Sequence, residues 1–95
     1  MPKIHRHTDS RACGATTVVT HQGDVFANNL LVSVNGDPNT HSGGALIARC
    51  RNVYVHNIMV VNHSSDNAHP DGLCPGGAHC NPKTAAGSPD VYVGD

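Results

Sequence analysis

Four cysteines and eight histidines stand in a chain of 95 residues, and their placement is uneven. Cys13-Gly14 precedes a first run of strand-forming residues. His41-Ser42-Gly43-Gly44 precedes a second, and Cys74-Pro75-Gly76-Gly77-Ala78-His79-Cys80 a third. Each is a glycine-containing loop with a thiol or an imidazole. One ligand from each of three converging loops, and a fourth from the longest, would close a tetrahedral site of the kind zinc takes. Four protein ligands leave no open position for water, so such a metal is structural and its binding energy is folding energy. The expected ligands are Cys13, His41, Cys74 and His79, with zinc as the metal and iron as the other candidate. His69 and Cys80 compete with Cys74 for the fourth position. Cys80 adjoins His79 and would point elsewhere in an extended segment, whereas Cys74 lies far enough ahead of His79 for a tight loop to bring both to one ion. The glycines beside these ligands suit a narrow apex, where backbones must approach closely and take positive φ.

The elements that must position these loops read as β throughout. No long stretch carries an apolar stripe at helical spacing, and Gly or Pro interrupts every candidate. Short β-branched runs appear instead at Thr16 to Thr20, Asp24 to Val34, Ala45 to Ala48, Asn52 to Asn62 and Asp90 to Val93. Turn-forming clusters such as Asn-Gly, Gly-Gly and Asp-Pro bound them. Asp24-Val25-Phe26-Ala27 is echoed by Asn52-Val53-Tyr54-Val55 and by Asp90-Val91-Tyr92-Val93, the second interval being longer than the first. The excess fits an insertion between Ala68 and Pro82. Three such units predict an all-β fold of pseudo-threefold-related parts, each burying a face against its neighbours.

Composition sets further limits. The length is that of one domain, 1–95. Hydrophobic residues make up 38% and aromatic residues 3%, which leaves little for a core and calls for a metal, a disulfide or a partner as a staple. A net charge of −1 with no basic block argues against binding driven by phosphate neutralisation. The longest apolar runs are too short for a membrane-spanning helix. The N-terminal segment has no apolar core of a secretory signal. All seven acidic residues are Asp, so there is no Glu to serve as a general base, and neither the His-Glu zinc-hydrolase motif nor the deaminase signature occurs. Enzymatic activity is therefore not expected.

Other readings of the same residues stay open. Four cysteines could form two disulfides, and a small zinc-binding interaction or nucleic-acid module is the alternative function. Cys50 is expected to be a small, at least half-buried strand residue rather than a ligand. His56 is expected on a strand face or in an inter-strand contact. His5, His7, His21 and His63 are expected to be solvated.

Three segments carry a resemblance to a known family. Asp9-Ser10-Arg11-Ala12-Cys13-Gly14-Ala15 resembles the GD-x-x-x-CGA loop of the PAAR-repeat proteins, the tips of contractile-injection spikes, with Thr8 where Gly is usual. Asn35-Gly36-Asp37-Pro38-Asn39-Thr40-His41-Ser42-Gly43-Gly44 resembles their second loop. Gly87-Ser88-Pro89-Asp90-Val91-Tyr92-Val93-Gly94 resembles the opening of their strand unit. The PAAR tetrapeptide itself is absent, and Ile58-Met59-Val60-Val61 stands there. The resemblance implies a small cone with a metal near its apex, to which Cys13, His41 and His79 match by position. Family members commonly use three His and one Cys, against two of each in the set expected here. It also implies a cap on a trimeric β-helical spike, one tip per trimer, that meets the target cell envelope and binds neither nucleic acid nor a small-molecule substrate. Its place would be a phage tail baseplate or a type VI secretion apparatus.

Overall fold

The computed structural model describes residues 2–49, 51–63 and 67–93. Among the described residues there are six two-residue strands: β1 (Phe26–Ala27), β2 (Leu30–Leu31), β3 (Leu46–Ile47), β4 (Tyr54–Val55), β5 (Ile58–Met59) and β6 (Asn67–Ala68). The single helical segment among the described residues is a 3-10 turn, Gly77–Cys80, and no helix is long and apolar enough to cross a membrane. The predicted all-β character holds. The strands are far shorter than the predicted runs, and β6 meets the expected insertion at its first residue, Ala68.

Turn chemistry explains the short strands. β1 and β2 form one antiparallel hairpin, with Phe26 opposite Leu31, and β4 and β5 form another, with Tyr54 opposite Met59. Their central residues are Asn28-Asn29 (φ +53° and +66°) and His56-Asn57 (φ +52° and +66°). A two-residue hairpin turn with positive φ at both positions matches the twist of its strands, and Asn and His tolerate that region better than most residues. His56 is thus a turn residue, not a strand-face residue. β3 pairs with β6 across a longer connection.

A third antiparallel pairing, the counterpart of the two hairpins, brings residues 2–4 against residues 91–93. The Ile4 N–H donates to the Val91 carbonyl at 2.9 Å, and the Val93 N–H to that of Pro2 at 3.0 Å. The first of these corresponds to Val32 to Val25 at 3.0 Å and Val60 to Val53 at 3.1 Å. At the centre, three backbone bonds close a ring: Ser33 donates to His5 at 2.9 Å, Val61 to Ser33 at 3.0 Å and His5 to Val61 at 3.0 Å. The interval from His5 to Ser33 equals that from Ser33 to Val61, and all three residues are fully buried. The unequal spacing in the sequence has a simple origin. Arg6 to Val25 and Val34 to Val53 are stretches of equal length, whereas Asn62 to Val91 is longer, so the third unit alone carries the insertion.

Burial follows the same arrangement. Ile4, Val32 and Val60 form the core with Val34, Ala27 and Val55, and a smaller cluster gathers Leu46, Ala48, Val61 and Ala68. Each unit leaves a hairpin, crosses the ring, turns through a loop and returns to the next hairpin. The loops meet one another: Thr40 donates to the Thr16 carbonyl, Ala12 to that of Lys83 and Gly72 to that of His41.

Arg11 locks these loops from inside. Its side chain is buried, and it donates to the Thr17 hydroxyl at 2.6 Å and to the carbonyls of Pro82, Gly44 and Asp37 at 2.7, 2.8 and 3.2 Å. Burial pushes its pKa down to about 10, against the attraction of Cys13, Asp37 and Asp71, so the guanidinium stays charged near neutral pH. A buried cation is tolerable because its donors are met by acceptors from all three units.

Candidate metal centre

Where the three loops meet, Cys13, His41, Asp71 and His79 each offer one ligand atom, and these atoms lie within 4.8 Å of one another. Cys13 and His41 are separated by the same interval as His5 and Ser33, so they hold the same place in the first and second units. The enlarged third loop supplies two ligands, Asp71 and His79. The cluster could hold a metal ion.

Asp71 is the hub. Its Oδ2 lies 3.5 Å from Cys13 Sγ, 3.4 Å from His41 Nδ1, 3.2 Å from His79 Nδ1 and 3.1 Å from Asn39 Nδ2, while Oδ1 accepts the Leu73 N–H at 2.9 Å. Four polar groups crowd one carboxylate oxygen, more than its lone pairs can serve. A cation among Cys13, His41, His79 and Asp71 would relieve that crowding, which fits the donor set to a metal. Burial opposes the Asp71 charge. The hydrogen bonds from Leu73, His79, Asn39 and Cys13 outweigh it and hold the carboxyl well below the usual carboxylate range. Asp71 is therefore ionised near neutral pH.

The backbone around the cluster is built for close approach. A Cβ on Gly44, which sits at φ +69°, would lie 2.5 Å from Asn39 Nδ2, the atom that steadies Asp71. A Cβ on Gly72 would lie 2.7 Å from the His41 carbonyl, to which the Gly72 N–H donates at 2.9 Å. The His41 and His79 rings tilt against each other with centroids 5.0 Å apart.

Three of the four expected ligands, Cys13, His41 and His79, are brought together. Cys74 is not with them: it forms a disulfide with Cys80, and a sulfur in a disulfide has no thiolate to give a metal. The same bond removes Cys80 as a substitute. His69 is exposed, its backbone N–H bound to Ala45, and stands outside the cluster. Asp71 takes the fourth place instead. The expected set held only Cys and His, although Asp is an ordinary ligand for such ions. The signal was available, since Asp71 is the only carboxylate between Asn67 and Pro89.

Of the other histidines expected to be solvated, His21 is exposed, His7 and His63 are half-buried, and His5 overturns the expectation. His5 is fully buried, its Nδ1 2.8 Å from the Ala86 carbonyl and its Nε2 2.6 Å from the Thr17 hydroxyl. Burial pushes its pKa down to about 4, against the Ala86 hydrogen bond. His7 Nδ1 accepts the Val19 N–H, and His21 and His63 bond to Asp37 and Thr84. Cys50 lies outside the described residues. No family model and no curated protein matches this chain.

Proposed function

We propose that the chain is a structural spike tip of the PAAR-repeat kind, a small metal-pinned point that caps and sharpens the trimeric β-helical spike of a contractile injection machine. The observation that carries this reading is the closed ring of His5, Ser33 and Val61, evenly spaced along the chain, together with one ligand-bearing loop per unit. A single chain with three equivalent parts can sit on the end of a threefold spike and cover its open strand edges. The loops would form the apex of a cone and the hairpins its base, as in a short tail-spike tip of the T4-like phages.

Zinc suits the apex. A tetrahedral zinc with nitrogen and oxygen ligands at about 2.0–2.2 Å and sulfur at about 2.3 Å places its ligand atoms about 3.2–3.6 Å apart. The separations of 3.2, 3.4 and 3.5 Å around Asp71 match that spacing, Cys13 to His41 at 3.8 Å is wider, and the set as a whole spans up to 4.8 Å, so an ion would draw the donors inward. Such an ion would be structural and this chain no enzyme. Pinning three loops to one ion would stiffen the point that is pushed first through the target cell envelope. The tip would be made in the host cytoplasm and assembled on the baseplate spike or its secretion-system counterpart.

Elemental analysis of the purified protein, with thermal melts before and after chelation, tests the metal. About one zinc per chain and a large loss of stability on its removal are expected. A metal-free protein whose melting responds only to reductant would overturn the pinned apex.

A further inference from the structure

The chain has three aromatic residues, one Phe, two Tyr and no Trp, and it buries none of them. Phe26, Tyr54 and Tyr92 are 57%, 55% and 46% exposed. A chain so short of core material would be expected to bury its largest apolar side chains. Instead all three hold the same place in the two hairpins and the equivalent pairing of residues 2–4 with 91–93, one residue after Val25, Val53 and Val91, whose carbonyls accept the equivalent bonds from Val32, Val60 and Ile4. The next residues, Ala27 and Val55, are buried and Val93 is half-buried. Strand alternation thus turns Ala27, Val55 and Val93 inward and the aromatics outward. Opposite Phe26, Tyr54 and Tyr92 across these pairings stand Leu31, Met59 and Lys3.

Polar contacts join neighbouring units beside these positions. Asn28 donates to Asp90 at 2.7 Å, joining the first hairpin turn to the third strand unit. His56 bonds to Asp24, joining the second turn to the first unit. These two contacts are equivalent under the ring. The result is a repeating surface of aromatic anchors edged by polar groups, the composition of a protein interface centre and rim.

We infer that Phe26, Tyr54 and Tyr92 are the anchors by which this chain docks on a homotrimer, one ring into each subunit. The inference rests on the spike-tip reading and names its contact residues. Three equivalent anchors are engaged together only by a partner that presents three equivalent seats, and a homotrimer does so along its axis. A single small partner would cover one hairpin and leave two aromatic rings in water. The mixture of Phe and Tyr requires seats that leave the ring edge open, since identical subunits must accept a ring with or without a hydroxyl.

The test uses the full zinc-loaded chain and, as probe, the purified homotrimeric β-helical spike protein of the same contractile machine, with stoichiometry read by native mass spectrometry and affinity by calorimetry. The wild-type chain is expected to bind one per trimer. Phe26→Ala, Tyr54→Ala and Tyr92→Ala should each weaken binding about 10- to 30-fold, by similar factors. Ile47→Ala, at an exposed apolar residue of β3 outside the three aromatic-bearing pairings, should leave it unchanged. Phe26→Tyr and Tyr54→Phe should retain affinity, and unchanged zinc content and melting of every variant show that folding is intact. Wild-type binding with no loss in the three alanine variants overturns the anchor assignment alone. Absence of any wild-type complex, or a ratio other than one to three, overturns the spike-tip reading with it. A self-associated form of this chain dissolved by the same substitutions overturns the trimer as occupant.

Discussion

His5 should make the stability of this protein fall steeply below pH 6.5. Its ring lies in a chain of hydrogen bonds that admits one protonation state. Nδ1 must donate to the Ala86 carbonyl, which has no proton to give. Nε2 then accepts from the Thr17 hydroxyl, whose oxygen in turn accepts from Arg11 Nε at 2.6 Å. A proton on Nε2 would face the hydroxyl proton and add positive charge beside a buried guanidinium. The folded pKa, pushed from 6.5 down to about 4 by burial, expresses that cost. Because the folded pKa is depressed, the stabilisation is full above pH 6.5 and is lost as pH falls from there toward 4. Linkage over that window gives a loss of about 2 kcal/mol between pH 7 and pH 5 and about 3 kcal/mol by pH 4. For a domain of this size the first figure lowers Tm by roughly 10 °C. The assay is urea unfolding from pH 7.5 to 4.5 of the wild type and of His5→Gln, which keeps a donor and an acceptor but does not titrate. Taking the difference between the two removes the contribution of every other titrating group. That difference should shrink by about 2 kcal/mol from pH 7 to pH 5, because the wild type alone loses stability. A difference that stays flat over this range would refute the buried neutral histidine and the hydrogen-bond chain through Thr17.

Three further outcomes follow from the same contacts. Arg11→Met leaves the buried carbonyls of Gly44 and Pro82 without their donor and should cost about 3 kcal/mol or more in urea unfolding. Gly44→Ala places a Cβ against Asn39 at a positive φ; with Asn39 displaced from Asp71, affinity for added zinc, if the cluster binds it as proposed, should fall about 10- to 100-fold in competition with a chromophoric chelator. Reducing the Cys74–Cys80 disulfide with a dithiol opens the short loop that contains His79. This should cost about 2 kcal/mol of stability and weaken metal binding. A gain of a second thiolate in the cobalt-substituted spectrum on reduction would instead return Cys74 to the metal.

The parts of this protein that its sequence makes legible are those governed by neighbours along the chain. β-branched runs broken by Gly, Pro and Asn announce strands and turns, because φ/ψ preference is local. The echo of Asp24-Val25-Phe26 in Asn52-Val53-Tyr54 announces repeated units, and the loop placement of Cys13, His41 and His79 points to three ligands of the cluster. His5 shows the limit. A histidine near a chain end has no local mark of burial, and its place in the ring depends on bonds to Val61 and Ser33, both remote along the chain.

Tertiary structure alone decided the fourth ligand and the use of Arg11. Local spacing suits Cys74 to a metal and to a disulfide equally, and the choice turns on which sulfur or oxygen the folded third loop delivers to the cluster. That loop brings Cys80 to Cys74 and Asp71 to His41 and His79. Residue type and spacing determined what chemistry was available, because they are properties of the chain. Which donors share one point in space is set by the closing of the three-membered ring, a long-range event that no local window contains.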